Sequence, residues 1–219
     1  MSSQNTILLS AMIAQLKNDI APEMKNDDYF EVFSNEQILK EYDLSYDEII
    51  EGTVGNGGDG GIDGFYIIVN DILLNADEEL PKLRGKVKID LFITQCKNIE
   101  AFDESVIQKF QSSAEDIFSL ERDLEKLQPV YNSDLLKHVA LFRNLYLSNI
   151  SRHPELTIQY YYSSKGDAIH PNVNRKVESL GGRPRIQSLA NNLFGNKYQI
   201  SSNHFMKSDC PQQKSPSGY

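Results

Sequence analysis

Apolar positions along the chain change period several times, and each change marks an element. Leu9, Ile13, Leu16 and Ile20 recur at helical spacing and predict an amphipathic helix over 5–20. A second helix is predicted over 28–42. Ser45 and Glu48 form a capping box that opens a short third helix, stopped at Gly52. A glycine-rich stretch follows and runs into an apolar, β-branched run predicted as a strand over 63–69. The polar segment from Asn70 to Lys86 reads as a connection with a hairpin or a longer excursion. Val87, Ile89, Leu91 and Ile93 then alternate as on a strand. Val106, Phe110, Ile117, Leu124 and Leu127 predict one long helix over 103–128, and another is predicted over 133–149. "ELTIQYYYSS" predicts a third long strand. Helices near 171–180 and 185–194 and a short strand at "KYQISS" complete the pattern.

Strands interspersed with helices point to an α/β domain with a mixed sheet. The expected organisation is a single domain over 1–205, with its core over about 25–165 and a helical C-terminal part over 166–205. Residues 206–219 are polar and rich in Ser, Pro and Gln, and read as a disordered tail.

Composition changes this picture little. With 219 residues, 40% hydrophobic and 24% charged, the chain can build an ordinary core. No apolar run of membrane-spanning length occurs, so no membrane partner is expected. Cys96 and Cys210 make no disulfide framework, which sets the expectation of a reducing cytoplasm. The net charge of −9 argues against a general nucleic-acid coat. Its distribution is uneven: residues 19–51 hold eleven acids against Lys25 and Lys40, whereas residues 165–197 hold six basic residues against Asp167 and Glu178. A local basic face can hold phosphates on an acidic protein.

The chemistry concentrates where two predicted strands end. The alternation through Val87, Ile89, Leu91 and Ile93 continues to Gln95 and Lys97, so an apolar face terminates in an amide and an ammonium. A lysine continuing a buried face needs an anionic partner. Asp63, at the mouth of the neighbouring strand and behind glycine hinges, can supply it. A carboxylate and an amide oxygen are donors for Mg²⁺ or Mn²⁺, and the backbone carbonyl of Cys96 is a further possible ligand. Asp59 is the alternative to Asp63 as carboxylate ligand; Asp63 is preferred because it borders the strand. A divalent ion, hard oxygen ligands and a lysine form an arrangement for hydrolysing phosphodiesters.

Other chemistries lack their signatures. Asp59, Asp63 and Gly64 fall at three positions of a calcium loop, but Gly61 and Asn70 stand where two ligands are required. The histidines at 138, 153, 170 and 204 have no ligand spacing. No G-x-S-x-G or Walker-type loop occurs. Tyr160 and Tyr162 are placed to stack on bases or, more simply, to pack at the edge of the core.

Asp63 followed by "QCK" at 95–97 resembles the PD-(D/E)xK nuclease superfamily, in the variant whose third motif is Q-x-K. "GGDGGIDG" is similar to the corresponding motif of Mrr-type restriction endonucleases. The flanks resemble more closely the N-terminal region of abortive infection phage resistance (AIPR) proteins. The matching stretches are "YFEVFSNEQIL" at 29–39, "LSYDEIIEG" at 44–52, "GGDGGIDGFYIIVN" at 57–70, "FITQCKN" at 92–98 and "FDESVIQKFQSSAEDIF" at 102–118. The resemblance covers about residues 25–125. It implies a restriction-endonuclease-like fold, a mixed β-sheet core flanked by helices, with Asp63 and Gln95 as metal ligands and Lys97 as the catalytic lysine. Glu31 matches the position of a further acid on the helix before the first core strand. The implied activity is metal-dependent hydrolysis of DNA, most directly double-stranded DNA, in phage defence. A homodimer is expected if both strands are cut. The alternative is a nuclease-fold interaction module without activity, consistent with the acidic balance and with the lack of a counterpart to the family's longer C-terminal region.

Overall fold

The computed structural model describes residues 3–55, 57–77, 80–166, 169, 171–179 and 185–188. Three helices precede the sheet: α1 (Gln4–Ile20), α2 (Asn26–Leu39) and α3 (Tyr46–Glu51). Ser3 caps α1 by accepting the N–H of Thr6, and Ser45 with Glu48 closes the predicted capping box on α3. The strands are β1 (Gly64–Val69), β2 (Ile72–Leu74), β3 (Lys88–Lys97), β4 (Glu155–Ser164) and β5 (Arg185–Ser188). Helices α4 (Glu104–Phe118) and α5 (Ser133–Ser148) lie between β3 and β4, and α6 (Pro171–Ser179) precedes β5.

The five strands form one mixed sheet in the order β2-β1-β3-β4-β5. β1 is antiparallel to β2 and β3, whereas β3, β4 and β5 run parallel. The β1–β2 hairpin turns on Asn70 and Asp71, both with positive φ (48° and 66°), as a two-residue turn with the twist of the sheet requires.

Both faces of the sheet are covered, which makes this an α/β fold. Phe65, Ile67, Ile89, Leu91 and Ile93 pack with Val106, Phe110, Leu135, Val139 and Phe142 of α4 and α5. On the opposite face, Tyr66, Ile68 and Phe92 meet Val32, Leu39 and Ile49, while Cys96 meets Leu9, Phe30 and Phe33. The alternation predicted for β3 therefore holds, but the intervening positions are buried too. Beyond the short β2, the outer flank of β1 is closed by the α3–β1 loop: Phe65 N–H donates to Gly52 O (2.8 Å) and Val54 N–H to Asp63 O (2.9 Å).

Two helix predictions are corrected. The helix predicted over 103–128 ends at Phe118, and a separate 3-10 turn covers Leu124–Leu127. The buried guanidinium of Arg143 on α5 causes the break to hold. It donates to the carbonyls of Ile117, Asp116 and Arg122, which satisfies the acceptors that a helix end leaves open. The helix predicted at 185–194 begins instead as strand β5, because β4 offers an open edge and Arg185–Ser188 pair with Tyr161–Ser164. The predicted strand at "KYQISS" and the predicted tail over 206–219 lie outside the described residues. Among the described residues no helix is long and apolar enough to cross a membrane.

Candidate active site

Asp63 stands immediately before β1, opposite Gln95 in the extended register of Gly64 with Thr94. Its backbone is held on both sides, by Thr94 O, which accepts from Asp63 N–H (2.8 Å), and by the N–H of Val54. Asp63 as a residue is only 3% exposed. Oδ2 accepts two hydrogen bonds, from Cys96 N–H (2.6 Å) and Gln95 Nε2 (3.0 Å). The N–H and C=O of a strand residue leave on the same side. The Cys96 carbonyl is therefore directed toward the Asp63 side of β3, past the point where β1 pairing ends.

Glu31 reaches the same place from α2. Its position off the Phe30–Phe33 stripe does not aim it at the sheet by helical spacing alone. A side chain on Gly55 would put its Cβ 2.8 Å from Glu31 Oε2 and 3.4 Å from Asp63 Oδ1. The two carboxylates thus flank one glycine, and Oδ1, the oxygen of Asp63 not used by Gln95 and Cys96, faces Glu31.

The electrostatics follow from this crowding. Burial, and then the charge of Asp63, push Glu31 up to about 8, against the opposing pull of Lys97. Burial also raises Asp63, while the Lys97 ammonium and the Cys96 N–H counter the rise. Lys97 is half-buried at the end of β3, and it is the principal charge that favours ionisation of both acids. Two acids that resist ionisation beside a single cation make a site that gains when further positive charge arrives.

Gln95 is 1% exposed, and its Oε1 has no hydrogen-bond partner. The amide nitrogen faces Asp63, because an amide oxygen there would oppose the carboxylate. To donate an oxygen to a cation shared with Asp63, the amide must rotate about its terminal bond. Hard oxygen donors from Asp63, Glu31, Gln95 and the Cys96 backbone fit Mg²⁺ or Mn²⁺, and the unpartnered Oε1 is the donor without another use.

The glycine loop is a built structure rather than a tether. Asn132, the N-cap of α5, donates through Nδ2 to Val54 O (2.9 Å) and Gly57 O (3.1 Å). Ser113 of α4 donates to Gly60 O (2.7 Å). Gly60 has φ +62°, and a Cβ there would lie 2.3 Å from the ring of Tyr131. Sequence reading did not single out Asn132, Ser113 or Tyr131, since they lie 50 or more residues from the loop and carry no local signal.

Asp59 is less well placed than Asp63. Its carboxylate accepts Gly61 N–H (2.7 Å) inside its own turn, although its charge is felt by both acids. Among the described residues no group of three His, Cys, Asp or Glu side chains converges as a metal site; Glu31 and Asp63 are two acids completed by an amide. The Cys96 thiol is buried in the α1–α2 cluster. Tyr160 and Tyr162 pack against Phe110 and Phe102, and Tyr162 Oη accepts Asp103 N–H (2.8 Å) at the start of α4, so both belong to the core edge. Comparison with protein-family models, with curated proteins and with solved structures gives no match.

Proposed function

We propose that this chain is a metal-dependent endonuclease that hydrolyses DNA phosphodiester bonds, with a restriction-endonuclease-like core and a role in phage defence of the AIPR type. The observation that carries the reading is the meeting of Glu31, Asp63, Gln95 and Lys97, from α2, the mouth of β1 and the end of β3, at one end of the sheet. The helices and the mixed sheet form an α/β fold, the broad class to which the fold implied by the Q-x-K resemblance belongs.

Asp63 and Glu31 would hold Mg²⁺ or Mn²⁺, with the Cys96 carbonyl and, after rotation of its amide, Gln95 Oε1 completing the protein ligands. Such an ion would acidify a water and neutralise charge on the phosphodiester. Lys97 orients the attacking water and stabilises the charge that develops on the phosphoryl oxygens. The Asp63 carboxylate is kept in place by the Cys96 N–H, so it needs no reorganisation to bind the ion. A homodimer in the cytoplasm, one site per strand, is the assembly that suits double-strand cleavage.

The test is incubation of the protein with supercoiled plasmid and Mg²⁺. Wild type converts the plasmid to nicked and linear forms, and Lys97→Ala slows this by about 10²–10⁴-fold. Equal rates for the two proteins, or no conversion by wild type, reject the reading. One observation favours the second reading, an interaction module without activity: Gln95 turns its nitrogen, not its oxygen, toward Asp63. That module would show no heat of Mg²⁺ binding.

A further inference from the structure

Lys109 lies on α4, one turn before Ser113, and its side chain crosses the glycine loop beside the site. Gly61 has φ +81°. A Cβ on Gly61 would stand 2.9 Å from Gln95 Oε1 and 3.1 Å from both Cβ and Cδ of Lys109. The buried amide oxygen and the lysine stem therefore border the same space beside Gly61. Residues four apart share a helix face, so the Ser113–Gly60 hydrogen bond (2.7 Å) holds the Lys109 face of α4 against the loop. Val106 and Phe110, on the flank of the helix next to Lys109 and Ser113, are buried in the core. The stem thus has a fixed course, while Lys109 remains exposed as a residue.

The ammonium has no ion-pair partner among the described residues. Lys88 is paired with Asp90 and Asp71, and Lys176 with Glu104, but no carboxylate lies within ion-pair distance of Lys109. Nor does it serve the two site acids. The cation that acts on Glu31 and Asp63 is Lys97. Asp103 feels Lys109, but it is already engaged as the N-cap of α4 with Ser105 N–H (2.8 Å). Long lysines lay their stems on a surface and keep their heads in water. Here the stem passes Gly61 beside the amide oxygen of Gln95, and the residue is exposed, so its ammonium is available to solvent next to the site.

From this we infer that Lys109 is a phosphate-contacting residue of the cleft, which takes a backbone phosphate of the substrate strand while Lys97 works at the scissile one. The inference rests on the phosphodiester reading of the site. It assigns the two lysines separate duties: Lys97 acts in the chemical step, and Lys109 contributes to affinity without sequence preference.

The experiment measures a short fluorescent duplex binding to the full chain in Ca²⁺ over a series of KCl concentrations, alongside plasmid cleavage in Mg²⁺. Lys109→Gln is expected to weaken duplex binding and raise KM by about threefold to tenfold at physiological salt, and to reduce the slope of log affinity on log salt by about one. Its kcat and its calorimetric Mg²⁺ affinity stay at the wild-type values, and Lys109→Arg keeps wild-type binding. Cleavage by wild type with unchanged KM and salt slope in Lys109→Gln overturns the role of Lys109 and leaves the nuclease reading standing. Intact plasmid with a reduced salt slope in Lys109→Gln rejects the nuclease reading and keeps the phosphate contact. Absence of duplex binding by wild type rejects both.

Discussion

Asp63 and Gln95 face each other across the end of the β1–β3 ladder, with the Gln95 amide nitrogen 3.0 Å from Asp63 Oδ2. The neutral amide is the feature that sets the charge of the site. It adds a donor to Asp63 where a carboxylate would add repulsion.

Gln95→Glu places a third acid beside Asp63 and Glu31. It removes the hydrogen bond to Oδ2 and adds negative charge, so the variant is expected to bind Mg²⁺ about tenfold more tightly while its metal-free form melts at a lower temperature. Isothermal titration gives the first quantity and thermal denaturation in EDTA the second. Unchanged Mg²⁺ affinity would mean that residue 95 does not face the ion.

Glu31 makes the metal-free protein sensitive to alkali. Its folded-state value of about 8 lies above the ordinary carboxylate range, so between about pH 4.5 and 8 the native state binds more protons than the unfolded state. Stability from this group is fully present below pH 4.5 and is lost as pH rises through 8. Glu31→Gln removes the dependence. In EDTA at pH 8.5 it is expected to melt several degrees above wild type, with the difference shrinking toward pH 4.5. Parallel melting curves at every pH would show that Glu31 is not held protonated by its surroundings.

The glycine loop predicts a contrast between two nearby substitutions. Gly57 has φ +81° with open space at its Cβ position, whereas Gly60 has φ +62° and meets the Tyr131 ring and Ser113 Oγ. Gly57→Ala is expected to cost about 1 kcal/mol, the backbone penalty alone. Gly60→Ala should cost roughly 2–4 kcal/mol, because either Tyr131 or the loop must move. Urea denaturation of both variants measures the difference, and equal costs would mean that α4 and α5 do not clamp the loop.

Arg143 carries the end of α4. Arg143→Met leaves the carbonyls of Asp116, Ile117 and Arg122 without their donor, at an expected cost of about 2–4 kcal/mol in urea denaturation. A loss below about 0.5 kcal/mol would show that water replaces the guanidinium freely.

The pattern of apolar residues made most elements legible. Leu9 and Ile13 anchor α1, the Ser45–Glu48 box opens α3, and the alternation into Gln95 and Lys97 follows β3 to its end. These signals are local, and so they survive in the sequence. The break after Phe118 was not legible, because the donors that close α4 come from Arg143, on another helix. The start of β5 was hidden for a similar reason: a strand created by the free edge of β4 needs no period of its own. At the site, Asp63, Gln95 and Lys97 could be aligned because strand register follows sequence. Lys109 could not, since its place depends on the crossing of α4 over a loop about 50 residues earlier.

The closure of β1 by its own loop has a consequence for crowding in the cell. An unpaired strand edge invites a second chain to add itself to the sheet. Here Gly52 and Val54 occupy the hydrogen bonds of Phe65 and Asp63 on that flank, and β2 takes the remainder. A foreign strand therefore finds no free backbone partners on β1 at the flank beside Asp63.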